Sequence, residues 1–147
     1  MSGADANAGG SSRLSPPPSA RHVGLIVLAV FVVYANALPN AFLWDDLHLV
    51  VDNPAIKGPA YVPRAFASDL FPAALQSGYY RPLQTLSYAL DYRVWGLAPF
   101  GFHLTNVVLH AATAALLYVL GVRVLHSAPA ALAGALLFAV HPLHVEA

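Results

Sequence analysis

Two adjacent carboxylates, Asp45 and Asp46, stand a few residues beyond a long apolar stretch and beside Phe42 and Trp44. Like charges this close, where an apolar phase meets water, are a setting in which a carboxylate becomes a competent general base. The plainer role for such a pair is to keep a helix end in water. Arg81 directly precedes Pro82, and proline favours the first position of a helix, so Arg81 falls at a helix N-terminus. A cation there opposes the helix dipole, whereas an anion such as a phosphate held between the guanidinium and the free backbone N–H groups would satisfy both. Pairing of Arg81 with Asp69 or another loop carboxylate is the alternative. Further along, His103, Asn106, His110 and Thr113 follow one another at helical spacing and stack on one face. They serve either a wet cavity or contact with a neighbouring helix. His141, His144 and Glu146 are ligand-type residues near the end of the chain, but their His-x-x-His spacing lacks the Glu of the His-Glu-x-x-His zinc motif. They read as support for an acidic site rather than as a metal centre.

The elements that must position these groups are those of a membrane protein. Of 147 residues 58% are apolar and only 10% charged, well below the quarter or so that ordinary soluble domains carry. Seven basic residues balance seven acidic ones, so no net field attracts nucleic acid. Cysteine is absent, which excludes disulfides and thiolate metal sites. Residues 1–20, rich in Ser, Gly, Ala and Pro, read as a disordered cytoplasmic tail. Residues 23–38 form a first transmembrane helix, longer than the apolar part of a signal peptide and without a small-residue cleavage site. Residues 39–102 form an outer loop with an amphipathic helix over 82–97. In that helix Leu83, Leu86, Leu90, Val94 and Leu97 make the apolar stripe, with Gln84, Ser87 and Asp91 opposite, and Tyr79, Tyr80, Tyr88, Tyr92 and Trp95 are the aromatic types of a membrane surface. Residues 103–122 and 128–141 form the second and third transmembrane helices, joined by a short polar hinge. Arg13, Arg21, Arg123 and His126 mark the cytoplasmic ends, which puts both polar clusters on the opposite, outer side. With polar positions left facing lipid by three helices alone, the sequence reads as truncated after residue 147.

The succession Tyr34-Ala35-Asn36, Phe42-Leu43-Trp44-Asp45-Asp46, Asn53-Pro54, Tyr80-Arg81-Pro82-Leu83, Pro99-Phe100-Gly101-Phe102-His103-Leu104-Thr105-Asn106 with His110, and His141-Pro142-Leu143-His144-Val145-Glu146-Ala147 resembles the start of the transmembrane and tetratricopeptide-repeat-containing O-mannosyltransferases and their prokaryotic relatives. The resemblance covers roughly residues 23–147. It implies an all-α membrane fold, a fragment of a GT-C type multi-helix bundle with a large first outer loop, often followed by a soluble repeat array. It also implies transfer of a sugar, mannose in the eukaryotic members, from a polyprenyl-phosphate carrier to a Ser or Thr hydroxyl of a protein acceptor, at the periplasmic, extracellular or luminal membrane face. By that analogy the pair Asp45 and Asp46 supplies the base; the motif does not decide between them, and Asp46 is preferred because it lies nearer the loop from which an acceptor arrives. Arg81 binds the donor phosphate, and His103, Asn106, His110, His141, His144 and Glu146 support the site. The resemblance implies no certain cofactor, and the chemistry does not require a metal. A divalent metal is compatible with the chemistry, since in some relatives of this fold such an ion does what Arg81 can do here. The resemblance leaves the sugar and the acceptor open, and an isolated 147-residue fragment is expected to be inactive. A non-catalytic membrane anchor for an interaction array and a piece of a transporter are the competing readings; an anchor would tolerate Asp45→Asn.

Overall fold

The computed structural model describes residues 16–67 and 80–142, and every regular element among them is helical. Three long helices form one layer: α1 (Ala20–Tyr34), α5 (Pro99–Leu125) and α6 (Ala128–Val140). Between α1 and α5 lie three helices, α2 (Pro54–Lys57), α3 (Tyr61–Ala67) and α4 (Pro82–Trp95), preceded by a 3-10 turn at Ala35–Ala37 and a π-turn at Leu47–Val51. α1 continues through the 3-10 turn, so an apolar helical run extends from Ala20 to Ala37; it and α5 are long and apolar enough to cross a bilayer. α6, with 13 residues, extends only about 20 Å at 1.5 Å per residue, short of the ~30 Å hydrocarbon thickness.

Four-residue spacing decides how the long helices meet. Ile26, Val30 and Tyr34 of α1, Val107, Ala111, Ala114, Tyr118 and Val122 of α5, and Ala131, Ala135 and Ala139 of α6 form a single buried cluster. The alanine stripe on α6 lets its backbone approach α5 closely, and a Cβ added at Gly121 would stand 3.0 Å from that of Ala131. The outward faces are no less apolar: Leu28, Val32, Leu116, Leu120, Val124 and Leu137 are all exposed. A soluble bundle would put polar groups there, whereas lipid accepts these side chains at no cost.

End-to-end bonds fix the helix directions. His22 Nδ1 lies 2.8 Å from Tyr118 Oη, which also accepts from the Ser19 N–H at 3.1 Å. At the other end Tyr34 Oη donates to the His141 carbonyl at 3.4 Å. α1 and α6 therefore run parallel and α5 antiparallel to both. The α5–α6 corner turns on His126, in the left-handed region at φ 52°, followed by Ser127, whose hydroxyl accepts from the Ala130 N–H.

The segment between α1 and α5 caps one end of this layer with its own small core of Leu49, Val50, Ile56, Ala89 and Phe102, flanked by Phe42, Tyr61, Tyr88 and Tyr92. Arg93 of α4 ties α2 and α3 down: its guanidinium stacks 3.5 Å over the Tyr61 ring and donates to the Gly58 carbonyl at 3.2 Å. α4 ends two residues earlier than its hydrophobic pattern suggests, because Gly96 turns the chain at φ 63°, a conformation that favours glycine. The orientation of α4 is inverted relative to a soluble amphipathic helix. Leu83, Leu90 and Val94 face outward, while Thr85, Ala89 and Asp91 are buried, with Thr105 Oγ1 donating to Asp91 Oδ1 at 2.7 Å.

Candidate active site at one end of the helix layer

Asp45 and Asp46 open the short helical segment that runs into the π-turn. Asp46 Oδ2 accepts from the Leu43 N–H at 3.2 Å, and the Asp46 N–H donates back to the Leu43 carbonyl at 3.0 Å. This is the reaching-back half of a capping box, in which a side chain three residues on satisfies the N–H before the turn. Trp44, between them, adopts φ 50° and is 87% exposed; a left-handed bulky residue is strained, and the Leu43–Asp46 pairing holds it there. Asp45 is exposed, and no hydrogen bond or ion pair among the described residues engages its carboxylate. The two acids thus differ: one closes a turn and the other is presented to the surroundings. Behind them buried Asn53 donates to the Leu49 carbonyl at 3.1 Å and caps α2 by accepting from the Ala55 N–H at 2.8 Å.

Arg81 occupies the N-cap of α4 with Pro82 following, as its sequence context indicates. Its Nη1 donates to Gln84 Oε1 at 3.5 Å, and Gln84 Nε2 donates to Tyr88 Oη at 2.7 Å. Spacings of three and four residues put the three side chains on one helix face. Tyr88 packs against Phe102, which also meets Phe42 edge-on, so α4, α5 and the stretch before the acidic pair converge on one aromatic contact. Burial holds the Tyr88 phenol above its ordinary pKa; the Gln84 hydrogen bond opposes this, the Asp46 charge adds to it, Arg81 opposes it and Asp45 adds to it. Both carboxylates and the guanidinium act on the same hydroxyl.

The polar stripe of α5 divides. His103 Nε2 lies 3.2 Å from the Asn40 carbonyl and His110 Nε2 lies 3.1 Å from the Ala139 carbonyl. A carbonyl only accepts, so both rings carry a proton on Nε2 and neither offers that nitrogen as a base or metal ligand. His103 fastens the chain leaving α1 to the start of α5. His110, packed between Tyr34 and Phe138, satisfies a carbonyl that the end of α6 leaves open. Asn106 and Thr113 instead are exposed, Thr113 bonding to its own helix at Leu109. His141 reaches the same end of the layer as Tyr34, while His144 and Glu146 lie outside the described residues. Among the described residues no three His, Asp or Glu side chains gather as a metal ion would need. A cavity of about 250 Å³ between the ends of α1 and α6 is lined by Tyr34, Asn36, Asn40 and Pro142 among others; the acidic pair and Arg81 do not line it.

Apolar helices with apolar outward faces, capped at one end by a folded segment that carries acids and a cation, define an all-α membrane protein. The chain is 38% identical over 122 residues to the protein O-mannosyl-transferase Tmtc2 of Drosophila melanogaster, a match covering 80% of this chain and 13% of that protein. It is 36% identical over 141 residues to Tmtc1 of the same organism, covering 93% of this chain and 16% of the relative. TMTC1 of Mus musculus is 36% identical over 129 residues, 84% of this chain and 14% of the relative. No family model and no solved structure matches. Over most of its length, then, the chain is a relative of one segment of the TMTC protein O-mannosyl-transferases, and it spans about one seventh of the length of these curated relatives.

Proposed function

We propose that the protein of which this chain forms part moves a sugar, mannose on the strength of its relatives' names, from a polyprenyl-phosphate carrier to a Ser or Thr hydroxyl of a protein. The observation that carries the proposal is an exposed Asp45 whose carboxylate is engaged by no hydrogen bond among the described residues, in the same capping segment that sets Arg81 at the N-terminus of α4, at one end of a membrane-type helix layer. Asp45 is the base: it is exposed and uncommitted, whereas Asp46 closes its own turn. It takes the proton of the acceptor hydroxyl as that oxygen bonds to C1 of the sugar. The C1–O bond to phosphate breaks, its electron pair leaves on the polyprenyl phosphate, and Arg81 stabilises that charge. Attack from the face opposite the leaving group inverts C1.

The arrangement in the membrane belongs to the same proposal. α1 and α5 cross, with the shorter α6 packed against both, as part of a larger GT-C type bundle, with Arg21, Arg123 and His126 on the cytoplasmic side. Asp45, Arg81 and the α4 helix lie on the outer or luminal side, and the outward stripe Leu83, Leu90 and Val94 rests in the bilayer interface. Because the chain has no cysteine, single cysteines report this directly. Ala41→Cys should react with an impermeant maleimide from the outer side and Ser127→Cys only after permeabilisation, and the reverse pattern would overturn the orientation. For the activity, membranes containing the complete gene product are supplied with labelled polyprenyl-phosphate mannose. Protein-bound label released by alkaline β-elimination is the expected result, and label confined to lipid would refute transfer to Ser or Thr.

A further inference from the structure

Three of the seven basic residues converge on Gly58, a spot that the transfer reaction does not use. Arg93 of α4 donates through Nη2 to the Gly58 carbonyl at 3.2 Å and through Nη1 to the Ala89 carbonyl at 3.0 Å, and it stacks 3.5 Å over the Tyr61 ring. Arg64 of α3 comes up beside the same glycine, where an added Cβ would stand 3.1 Å from its Nη1. Lys57, the residue before Gly58, donates from Nζ to the Val51 carbonyl and lies 5.9 Å from the centre of the Tyr92 ring. Carbonyls and aromatic faces hold Lys57 and Arg93 in place without cancelling their charge, and each spends only part of its donors on these carbonyls. The carboxylates nearest in sequence do not cancel it either. Asp52 is exposed and engaged by no hydrogen bond or ion pair among the described residues, and Asp91 is buried on the far face of α4 with Thr105. Like charges held this close repel one another and draw in an anion.

What frames the cluster decides the kind of anion. Val62 and Phe66 on α3 and Leu90 and Val94 on α4, the helices that carry Arg64 and Arg93, are all exposed. A free phosphate or an acidic peptide gains nothing from apolar side chains around the charge, whereas a phospholipid brings a phosphate and acyl chains in one molecule. We propose that Lys57, Arg64 and Arg93 bind the headgroup phosphate of a bilayer phospholipid, with those four apolar side chains against its acyl chains. The site fastens α2, α3 and α4, and with them the capping segment, to the membrane surface. It is separate from the place assigned to the donor phosphate: Arg81 and Arg93 lie near opposite ends of α4, roughly 18 Å apart along the axis at 1.5 Å per residue. The inference goes beyond the transfer reaction and shares with that reading only the seating of α4 in the bilayer interface.

The test is lipid binding by the purified complete gene product in a neutral detergent, with native mass spectrometry following adducts of dioctanoyl phosphatidylglycerol as its concentration rises. Lys57→Met and Arg64→Gln remove exposed cations and leave the hold of Arg93 on Gly58 and Tyr61 intact. Each should weaken the tightest adduct about fivefold, and the two together ~25-fold. Arg64→Lys should bind like the parent, and so should Arg123→Gln, which removes a cation at the opposite end of the helix layer. The unfolding midpoint in lipid-free detergent should stay the same in both single variants, and if the double variant unfolds the singles carry the comparison. Equal affinity in the parent and in both single variants overturns the inference. Displacement of the lipid by inorganic phosphate at the same concentration also overturns it, since the site would then take the free anion. No sugar moves in this assay, so failure of the base assignment leaves its result untouched, and loss of the lipid site leaves the base assignment standing.

Discussion

Gly101 and Gly134 should respond in opposite directions to the same substitution. Gly101 lies in the first turn of α5, and a Cβ there would fall inside the indole of Trp95, the last residue of α4. Trp95 is 40% exposed and meets Phe100 edge-on at 5.9 Å, so the ring must lift from the helix rather than flex at its tip. Aromatic side chains bury ~150–250 Å² when packed. Losing about half of that at ~25 cal/mol per Å² costs roughly 2–3 kcal/mol. The better helix propensity of alanine returns about 1 kcal/mol, leaving a net loss of roughly 1–2 kcal/mol. Gly134→Ala meets nothing within 4 Å and should gain the propensity alone, about 0.5–1 kcal/mol. Denaturant unfolding of the detergent-solubilised protein measures both. In a Trp95→Ala background Gly101→Ala should become neutral or stabilising, a coupling of roughly 2–3 kcal/mol. If Gly101→Ala instead matches Gly134→Ala in the parent, the indole does not rest on that glycine and the α4–α5 corner is drawn wrongly.

Burial holds the Asp91 carboxyl above its ordinary range, with the Thr105 bond opposing. The folded state thus binds that proton more tightly than the unfolded chain, and the contribution to stability is lost as pH rises from the ordinary carboxylate range through the raised folded value. Asp91→Asn keeps an acceptor for Thr105 and should raise the unfolding midpoint at neutral pH, with the gain vanishing toward pH ~3, below the ordinary carboxylate range; a gain equal at both pH values would contradict this. Asn53→Ala removes a helix cap and a bond to the Leu49 carbonyl and should cost about 1–3 kcal/mol, accompanied by faster proteolysis of the segment around the acidic pair. His110→Leu leaves the Ala139 carbonyl open and should cost about 1–3 kcal/mol, whereas His110→Gln, which can still donate, should recover part of the loss in the same unfolding measurement.

Where the sequence was legible, a single strong signal governed. Uninterrupted apolar runs gave the helices now seen at Ala20–Tyr34, Pro99–Leu125 and Ala128–Val140, and Pro82 gave the start of α4 with Arg81 at its cap. The stripe on α4 was readable as the face of a helix at a membrane surface, and Leu83, Leu90 and Val94 are exposed; periodicity did not show that Asp91, on the opposite face, is buried with Thr85 and Ala89 against the protein. The histidine line on α5 divides for a related reason. α5 has neighbours on two sides, so one helical stripe straddles a boundary, with His103 and His110 turned toward partners and Asn106 and Thr113 outward. The difference between Asp45 and Asp46 arises from one backbone bond three residues away. Tyr88 was readable only as an interface aromatic, since its packing on Phe102 forms only once α4 folds back on the start of α5.

The measurement that bears most directly on the proposed chemistry is the transfer rate of Asp45→Asn beside Asp46→Asn, in membranes holding equal amounts of the complete gene product and supplied with labelled polyprenyl-phosphate mannose. A base engaged in the transition state contributes about 10²–10⁴-fold, so Asp45→Asn should lose at least a hundredfold in rate. Asp46→Asn, which retains an oxygen to accept from the Leu43 N–H, should lose less. Transfer by Asp45→Asn at the parent's rate would show that the exposed carboxylate at this end of the helices does no chemistry.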